Sequence, residues 1–151
     1  MWKLASGLLG LVLVGSAIAS RQEPAQDAAS GTAAAPAKIP DEAAKMVNPV
    51  KSTAVSIAHA KKVFGYNCAM CHGKEGDGHG DLADDMKLKL PDWRDPASLK
   101  DMTDGELFYI IAKGRGKMPA GEQQMKPEEI WAMVHYVRSF AEKAAPAKAK
   151  T

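Results

Sequence analysis

Two thiols and an imidazole stand together at Cys68-Ala69-Met70-Cys71-His72, and this motif uses both cysteines of the 151-residue chain. Two cysteines three positions apart, followed directly by histidine, form an attachment pattern for haem. Each thiol adds across one vinyl group of the porphyrin, and the two intervening residues match the distance between those vinyls. The next residue is then held beneath the iron, where an imidazole nitrogen can ligate it. Three rival readings fit the same spacing. A thioredoxin-like redox pair needs a preceding strand and a βαβ context, but a helical pattern precedes this motif and a Gly/Asp-rich stretch follows it. A zinc site would want a second ligand pair; His79 is available, but there is no second Cys-x-x-Cys. Chance occurrence is the third reading. The acidic glycine stretch from Glu75 to Asp85 does not have the spacing of an EF-hand calcium loop.

An iron bound by one histidine has a sixth position to fill. The candidate residues are Met118, Met125, Met86, Met102, His59, His79 and His135. Met118 sits in Gly114-Arg115-Gly116-Lys117-Met118-Pro119-Ala120, where glycines let backbone pass close to a flat cofactor and Pro119 restricts its neighbour to extended geometry. Met125 more naturally packs against the helix that follows it. His59 reads as a helix-surface residue, and His135 as a partly exposed structural histidine.

Three helices must position these groups. Thr53 to Asn67 carries Val55, Ala58, Lys62, Val63 and Tyr66 at helical offsets, with Phe64 one step round, and ends at the cysteines. Thr103 begins a capping box with Glu106, and the helix runs through Leu107, Phe108, Ile110 and Ile111 to stop at Gly114. Pro127 opens the third, with Glu128 and Glu129 at its positive end. Ile130, Val134, Val137 and Ala141 form its stripe, widened by Met133, Tyr136 and Phe140. No segment alternates as a strand does. Between the first two helices, residues 73–102 read as a long loop, which in a compact domain implies that it wraps something.

Composition divides the chain. Residues 1–19 hold one charge, Lys3, before an apolar run ending Ala17-Ile18-Ala19, the layout of a secretory signal peptide. An uncleaved membrane anchor is the alternative, although the run is short for the roughly 20 residues that span a bilayer. Residues 20–48 are rich in Ala and Pro and hold no aromatic residue, so they read as a disordered linker, roughly 90 Å long if extended at about 3.1 Å per residue. All aromatic residues but Trp2 lie in 49–142, the folded domain, and 143–151 reads as a disordered tail. The net charge of +2 belongs to the ends: residues 50–143 hold 14 basic and 14 acidic side chains. That balance excludes a nucleic-acid protein held by phosphate contacts.

The folded region resembles the small bacterial class I c-type cytochromes. The resemblance rests on Phe64 four residues before Cys68, on Cys68-Ala69-Met70-Cys71-His72-Gly73 and on the Gly76-x-Gly78-x-Gly80 spacing. It also rests on the helix from Thr103 to Gly114, on Met118-Pro119, and on Ile130-Trp131-Ala132-Met133-Val134-His135-Tyr136-Val137-Arg138. It covers about residues 53–142. It implies an all-α, cytochrome c-like fold, three or more helices around one covalent haem c, with the first and last helices crossing where Phe64 meets Tyr136. Ala60 would stand at the close-contact position where many members have glycine. It implies thioether bonds from Cys68 and Cys71, and His72 and Met118 as axial ligands. Trp93 would lie in the loop on the propionate side and donate its indole N–H to a propionate.

The function expected from these residues is single-electron transport between exported redox proteins, with no catalytic residue and no enzyme activity of its own. The alternatives are a haem subunit or tethered domain of a larger exported oxidoreductase, and a five-coordinate haem for gas or peroxide chemistry. A periplasmic location follows from the signal, with membrane attachment only if that segment stays uncleaved. Lys113, Arg115 and Lys117, with Lys87 and Lys89, suggest a basic rim that steers partners with acidic docking surfaces. An ordinary solvated surface would carry the same charges.

Overall fold

The structure, a computed structural model, describes residues 38–144. The expected signal segment, most of the linker and residues 145–151 lie outside the described residues. Within them the chain forms helices α1 (Asp41–Ala44), α2 (Ala54–Asn67), α3 (Ala69–His72), α4 (Asp81–Asp85), α5 (Asp104–Lys113) and α6 (Pro127–Ala144). Two short 3₁₀ turns, Pro96–Ser98 and Gly121–Gln123, complete the order. The described residues contain one isolated β-bridge and no strand, so the all-α expectation holds.

The three long helices start where the sequence supplies caps. The Thr53 hydroxyl accepts from the Ser56 N–H at 3.1 Å, and the Thr53 N–H donates to the Ser56 hydroxyl at 2.9 Å. Thr103 and Glu106 form the reciprocal box that opens α5, at 2.7 and 3.2 Å. Such boxes satisfy donors that a helix N-terminus leaves unpaired. At α6 the Glu129 carboxylate reaches back to accept from the Lys126 N–H at 2.8 Å.

Helices α2 and α6 pack together at the centre. Phe64 is 2% exposed, and its ring meets Tyr136 edge-on at 5.3 Å and Phe140 at the same distance. Ala60, at 1% exposure, belongs to the same core. Ile130, Met133 and Val134 are fully buried. These are the stripe and flank positions of α6, so its apolar pattern lies where the period places it. Helix α5 closes on α6 through Phe108 stacked on Trp131 at 4.2 Å. Arg138 then binds the start of α5: its Nε donates to Asp104 at 2.6 Å, and its Nη2 to the Met102 carbonyl at 2.7 Å.

Three boundaries differ from expectation. Order begins before residue 49: α1 forms a helical turn whose Ala43 is 3% exposed and packs on α5. Asp41 and Glu42 suit its N-terminus, and Gly105 leaves room for the Ala43 carbonyl, which a Cβ there would strike. Asn48 and Val50 are tied to α6, through Asn48 Nδ2 donating to the Trp131 carbonyl (3.0 Å) and His135 Nε2 meeting the Val50 carbonyl (2.7 Å). Composition misses this strap because a few long-range contacts order it, not its own apolar content. The 73–102 loop contains α4 and a 3₁₀ turn capped by Asp95, which accepts from the Ala97 N–H at 2.9 Å. At the far end α6 continues through Lys143 to Ala144, with Lys143 Nζ 4.9 Å above the Tyr136 ring.

Candidate functional site

The motif occupies the corner after α2. The Cys68 N–H closes that helix on the Phe64 carbonyl at 2.9 Å, and the His72 N–H donates to the Cys68 carbonyl at 2.9 Å. The single turn α3 and the Cys68 that precedes it therefore carry both sulfurs and the imidazole on one short, hydrogen-bonded segment. Gly80 packs against its backbone, with a Cβ position 2.6 Å from the Ala69 carbonyl oxygen. Gly78 donates to the His72 carbonyl at 2.9 Å. The glycine spacing read from the sequence thus brings the following loop back under the motif.

Cys68, Cys71 and His72 open on one cleft of about 550 Å3. Its walls are mainly apolar, with Leu99, Leu107, Ile111 and Val137 among them. Cys68 and Cys71 are not joined in a disulfide, so both sulfurs are open to attachment. Burial, and then the neighbouring Cys71, would push the Cys68 thiol up to about 11 before its sulfur is attached to a cofactor. Burial pushes the His72 imidazole down to about 4, which keeps it neutral with a lone pair to offer. Its Nδ1 is buried and without a hydrogen-bond partner; Nε2 is the nitrogen left for the cleft. Among the described residues no group of three or more His, Cys, Asp and Glu side chains is arranged to hold a metal ion, so the zinc reading gains no ligands.

The structure sorts the sixth-ligand candidates. His59 Nε2 contacts Glu129 at 2.8 Å on the surface between α2 and α6. His79 is exposed, 3.4 Å from Asp84. His135 is spent on the Val50 carbonyl. Met86 is 41% exposed and does not line the cleft. Met118, Met102 and Met125 do line it. Met125 is buried and its terminal methyl lies against Gly121, a packing position. Met118 is half-buried in a tight turn, where Arg115 and Met118 exchange backbone hydrogen bonds at 3.0 and 3.1 Å. Gly114 takes φ +76° there, and a Cβ would strike the Met118 carbonyl.

Trp93 also lines the cleft, and its position carries a feature the sequence did not announce. Its ring stacks on His72 at 4.2 Å between centroids and 19° between planes. Its indole N–H makes no hydrogen bond among the described residues. Of the basic residues, Lys89, Arg115 and Lys117 border the cleft. Lys113 is paired with Glu122 at 2.7 Å, and Lys87 is not part of the border.

These residues fit a covalent haem. The volume lies within the roughly 300–1,000 Å3 of small-molecule and cofactor sites. Two sulfurs outside any disulfide and a neutral imidazole meet on an apolar wall. The comparisons agree. The model of the family described as "Cytochrome c" matches residues 57–141. The cbb3-type cytochrome c oxidase subunit FixP of Bradyrhizobium diazoefficiens is 34% identical over 84 residues, 55% of this chain and 27% of that protein. The chloroplastic cytochrome c6 of Chlamydomonas reinhardtii is 31% identical over 99 residues, 62% of this chain and 61% of that one. A chain in a solved reducing HAO-like protein complex of Kuenenia stuttgartiensis superposes with a TM-score of 0.52 at 25% identity, covering 61% of this chain and 46% of its own. The chain thus spans about a quarter of the first relative and three fifths of the second. With the fold, the Cys-x-x-Cys-His corner and these matches in agreement, the chain belongs to the cytochrome c family, and its cofactor is covalently attached haem c.

Proposed function

We propose that this domain carries single electrons between redox proteins, with Cys68 and Cys71 as the covalent anchors and His72 and Met118 as the axial ligands. The observation that carries the reading is that Cys68, Cys71, His72 and Met118 line one apolar cleft. Haem c supplies a one-electron iron couple when bound. The chain's part is to hold that group in a dry wall, fill both axial positions and keep its own geometry fixed between oxidation states. A thioether ligand is soft and favours the reduced metal, which raises the potential relative to two imidazoles. Trp93 has an indole N–H left to donate to a propionate. With His72 and Met118 as the residues that would hold the iron, no open site would remain for a substrate, which suits a carrier and not an enzyme.

The test is Met118→Ala on the holoprotein. The expected result is a lower midpoint potential and loss of the Met–Fe(III) charge-transfer band, whereas Met125→Ala keeps the band. A band that survives Met118→Ala removes Met118 from the ligand set. Rapid CO binding by the reduced wild-type protein would favour the five-coordinate reading instead.

The partners in this reading are protein donors and acceptors that approach Lys89, Arg115 and Lys117 with acidic surfaces. Among the described residues these three cations make no ion pair. The location is outside the cytoplasm, on the strength of the signal-like residues 1–19. Among the described residues no helix is long and apolar enough to cross a membrane. A second reading, a haem domain within a larger oxidoreductase, is favoured by relatives whose printed names are an oxidase subunit and a protein complex. Size-exclusion of material from native membranes separates the two, since a free monomer disfavours the second.

A further inference from the structure

Lys113, which the sequence offered as part of a basic rim, is drawn instead into a pair across the base of the Met118 loop. Helix α5 ends at Lys113, and Gly114 turns the chain outward with φ +76°. The chain returns at Gly121, where a Cβ would stand 2.6 Å from the Ile111 carbonyl oxygen in the last turn of that helix. Glu122 follows, and its two carboxylate oxygens accept from Lys113 Nζ at 2.9 and 2.7 Å. We propose that Lys113 and Glu122 are a positioning pair for Met118, closing the base of its loop so that the thioether stays on the iron. The inference rests on Met118 being the axial ligand.

Most of the loop lies in solvent. Arg115, Gly116, Lys117 and Pro119 are exposed, and Met118 is half-buried. The backbone pair between Arg115 and Met118, at 3.0 and 3.1 Å, is internal to the loop and shapes its tip. The base is different. Gly121 has no side chain, which lets the returning chain come close to α5, and the charge pair supplies the attraction that keeps it there. Beyond Glu122 the chain is seated, because the Gln124 and Met125 N–H groups donate to the Gly121 carbonyl at 3.0 and 2.9 Å and Met125 is buried. An exposed ion pair contributes little to a whole fold. The same small contribution is felt in full by a loop whose local opening is itself cheap. Opening withdraws Met118 from the cleft. Ferric iron is harder than ferrous iron and holds a soft thioether less tightly, so the ferric protein depends most on the closed base.

The experiment follows imidazole binding to the ferric holoprotein, at a pH where imidazole is neutral, by loss of the Met–Fe(III) charge-transfer band. Imidazole reaches the iron only after Met118 leaves, so at low concentration its binding rate reads the fraction of open loop. Lys113→Gln and Glu122→Gln are each expected to raise that rate about two- to five-fold. The charge-swapped double variant, Lys113→Glu with Glu122→Lys, is expected to return toward the wild-type rate. Added salt weakens exposed ion pairs, so it should speed the wild type and leave both single variants unmoved. Glu42→Gln is the control: it removes the exposed Lys45–Glu42 pair of α1 and should leave the rate unchanged. Single variants at the wild-type rate overturn the proposal, as does a double variant no slower than the singles. Equal acceleration in Glu42→Gln overturns it too, because the effect would then belong to overall stability. Failure of the underlying ligand reading would look different: the wild type would lack the charge-transfer band before any variant was made.

Discussion

Gly76 is the residue where one added methyl group tests the most structure. It adopts φ +71°, and a Cβ built there would stand 2.7, 2.8 and 3.0 Å from three carbons of the Phe140 ring. Two costs follow for Gly76→Ala. Left-handed backbone costs a non-glycine residue about 1–2 kcal/mol. Overpacking against a well-filled core costs about 1–3 kcal/mol more, because Phe140 is 3% exposed and packed between Phe64 and Tyr136. The sum is about 2–5 kcal/mol, a large part of the ~5–15 kcal/mol that holds a domain together. In a domain near 100 residues it should lower Tm by roughly 8 °C or more. Gly116 supplies the control, since it has φ +61° with nothing within 4 Å of a Cβ. Gly116→Ala should cost only the backbone share, about 1–2 kcal/mol. Denaturant unfolding of the holoproteins, followed by far-UV circular dichroism, measures both. In a Phe140→Leu background the Gly76→Ala penalty should fall toward the Gly116 value. The reasoning is refuted if Gly76→Ala is no more costly than Gly116→Ala, for then the Phe140 ring is not where the structure places it.

The other predictions concern charge. Glu129 has its carboxyl held below the usual range, first by the Lys126 backbone N–H and then by His59. A carboxylate lowered in the folded state adds stability above its ordinary pKa, and that stability is lost as pH falls through the folded value. Below about pH 4.5 the wild type should therefore lose denaturant resistance more steeply than Glu129→Gln, and parallel profiles would contradict the assignment. Association with an acidic redox partner should slow as salt rises, because exposed charges are screened over about 8 Å at physiological ionic strength. Arg115→Glu and Lys117→Glu should slow it further at low salt. A rate indifferent to salt counts against the basic border.

The chemistry was largely legible from residue order, and the packing was not. Cys68, Cys71 and His72 announce themselves because thioether attachment demands that spacing and needs no tertiary information. Helices α2, α5 and α6 are legible for a related reason, since their extents follow local patterns. The stripe read for α2 is nonetheless not its buried face: Val55 and Tyr66 are 81% and 73% exposed, and Ala60 and Phe64 face the core instead. Thr103 with Glu106 is a box four residues long, and the structure builds it as read. The strap from α1 to Val50 was hidden because its order comes from Gly105, which meets Ala43, and from Trp131, which meets Asn48, both far along the chain. The family resemblance implies Trp93 beside the cofactor, but nothing in the sequence shows which ring it stacks on. That depends on the Gly76 carbonyl and on Phe140, which three separate segments bring together. Among the methionines, sequence order favoured Met118, while the structure admits Met102 and Met125 to the same cleft. Choosing among three thioethers is a matter of fractions of a turn, which spacing does not encode.

The strap that precedes α2 also decides how the body bears tension. The chain arrives through α1 on α5, and its next fastenings are Asn48 and Val50 on α6. A pull applied from the upstream end therefore loads these attachments in series before it reaches Thr53. The force divides into α5 and the long helix α6, and α2 with its sulfur-bearing corner lies beyond the last fastening. Tension entering ahead of α1 would thus meet α5 and α6 before it met the corner that carries Cys68, Cys71 and His72.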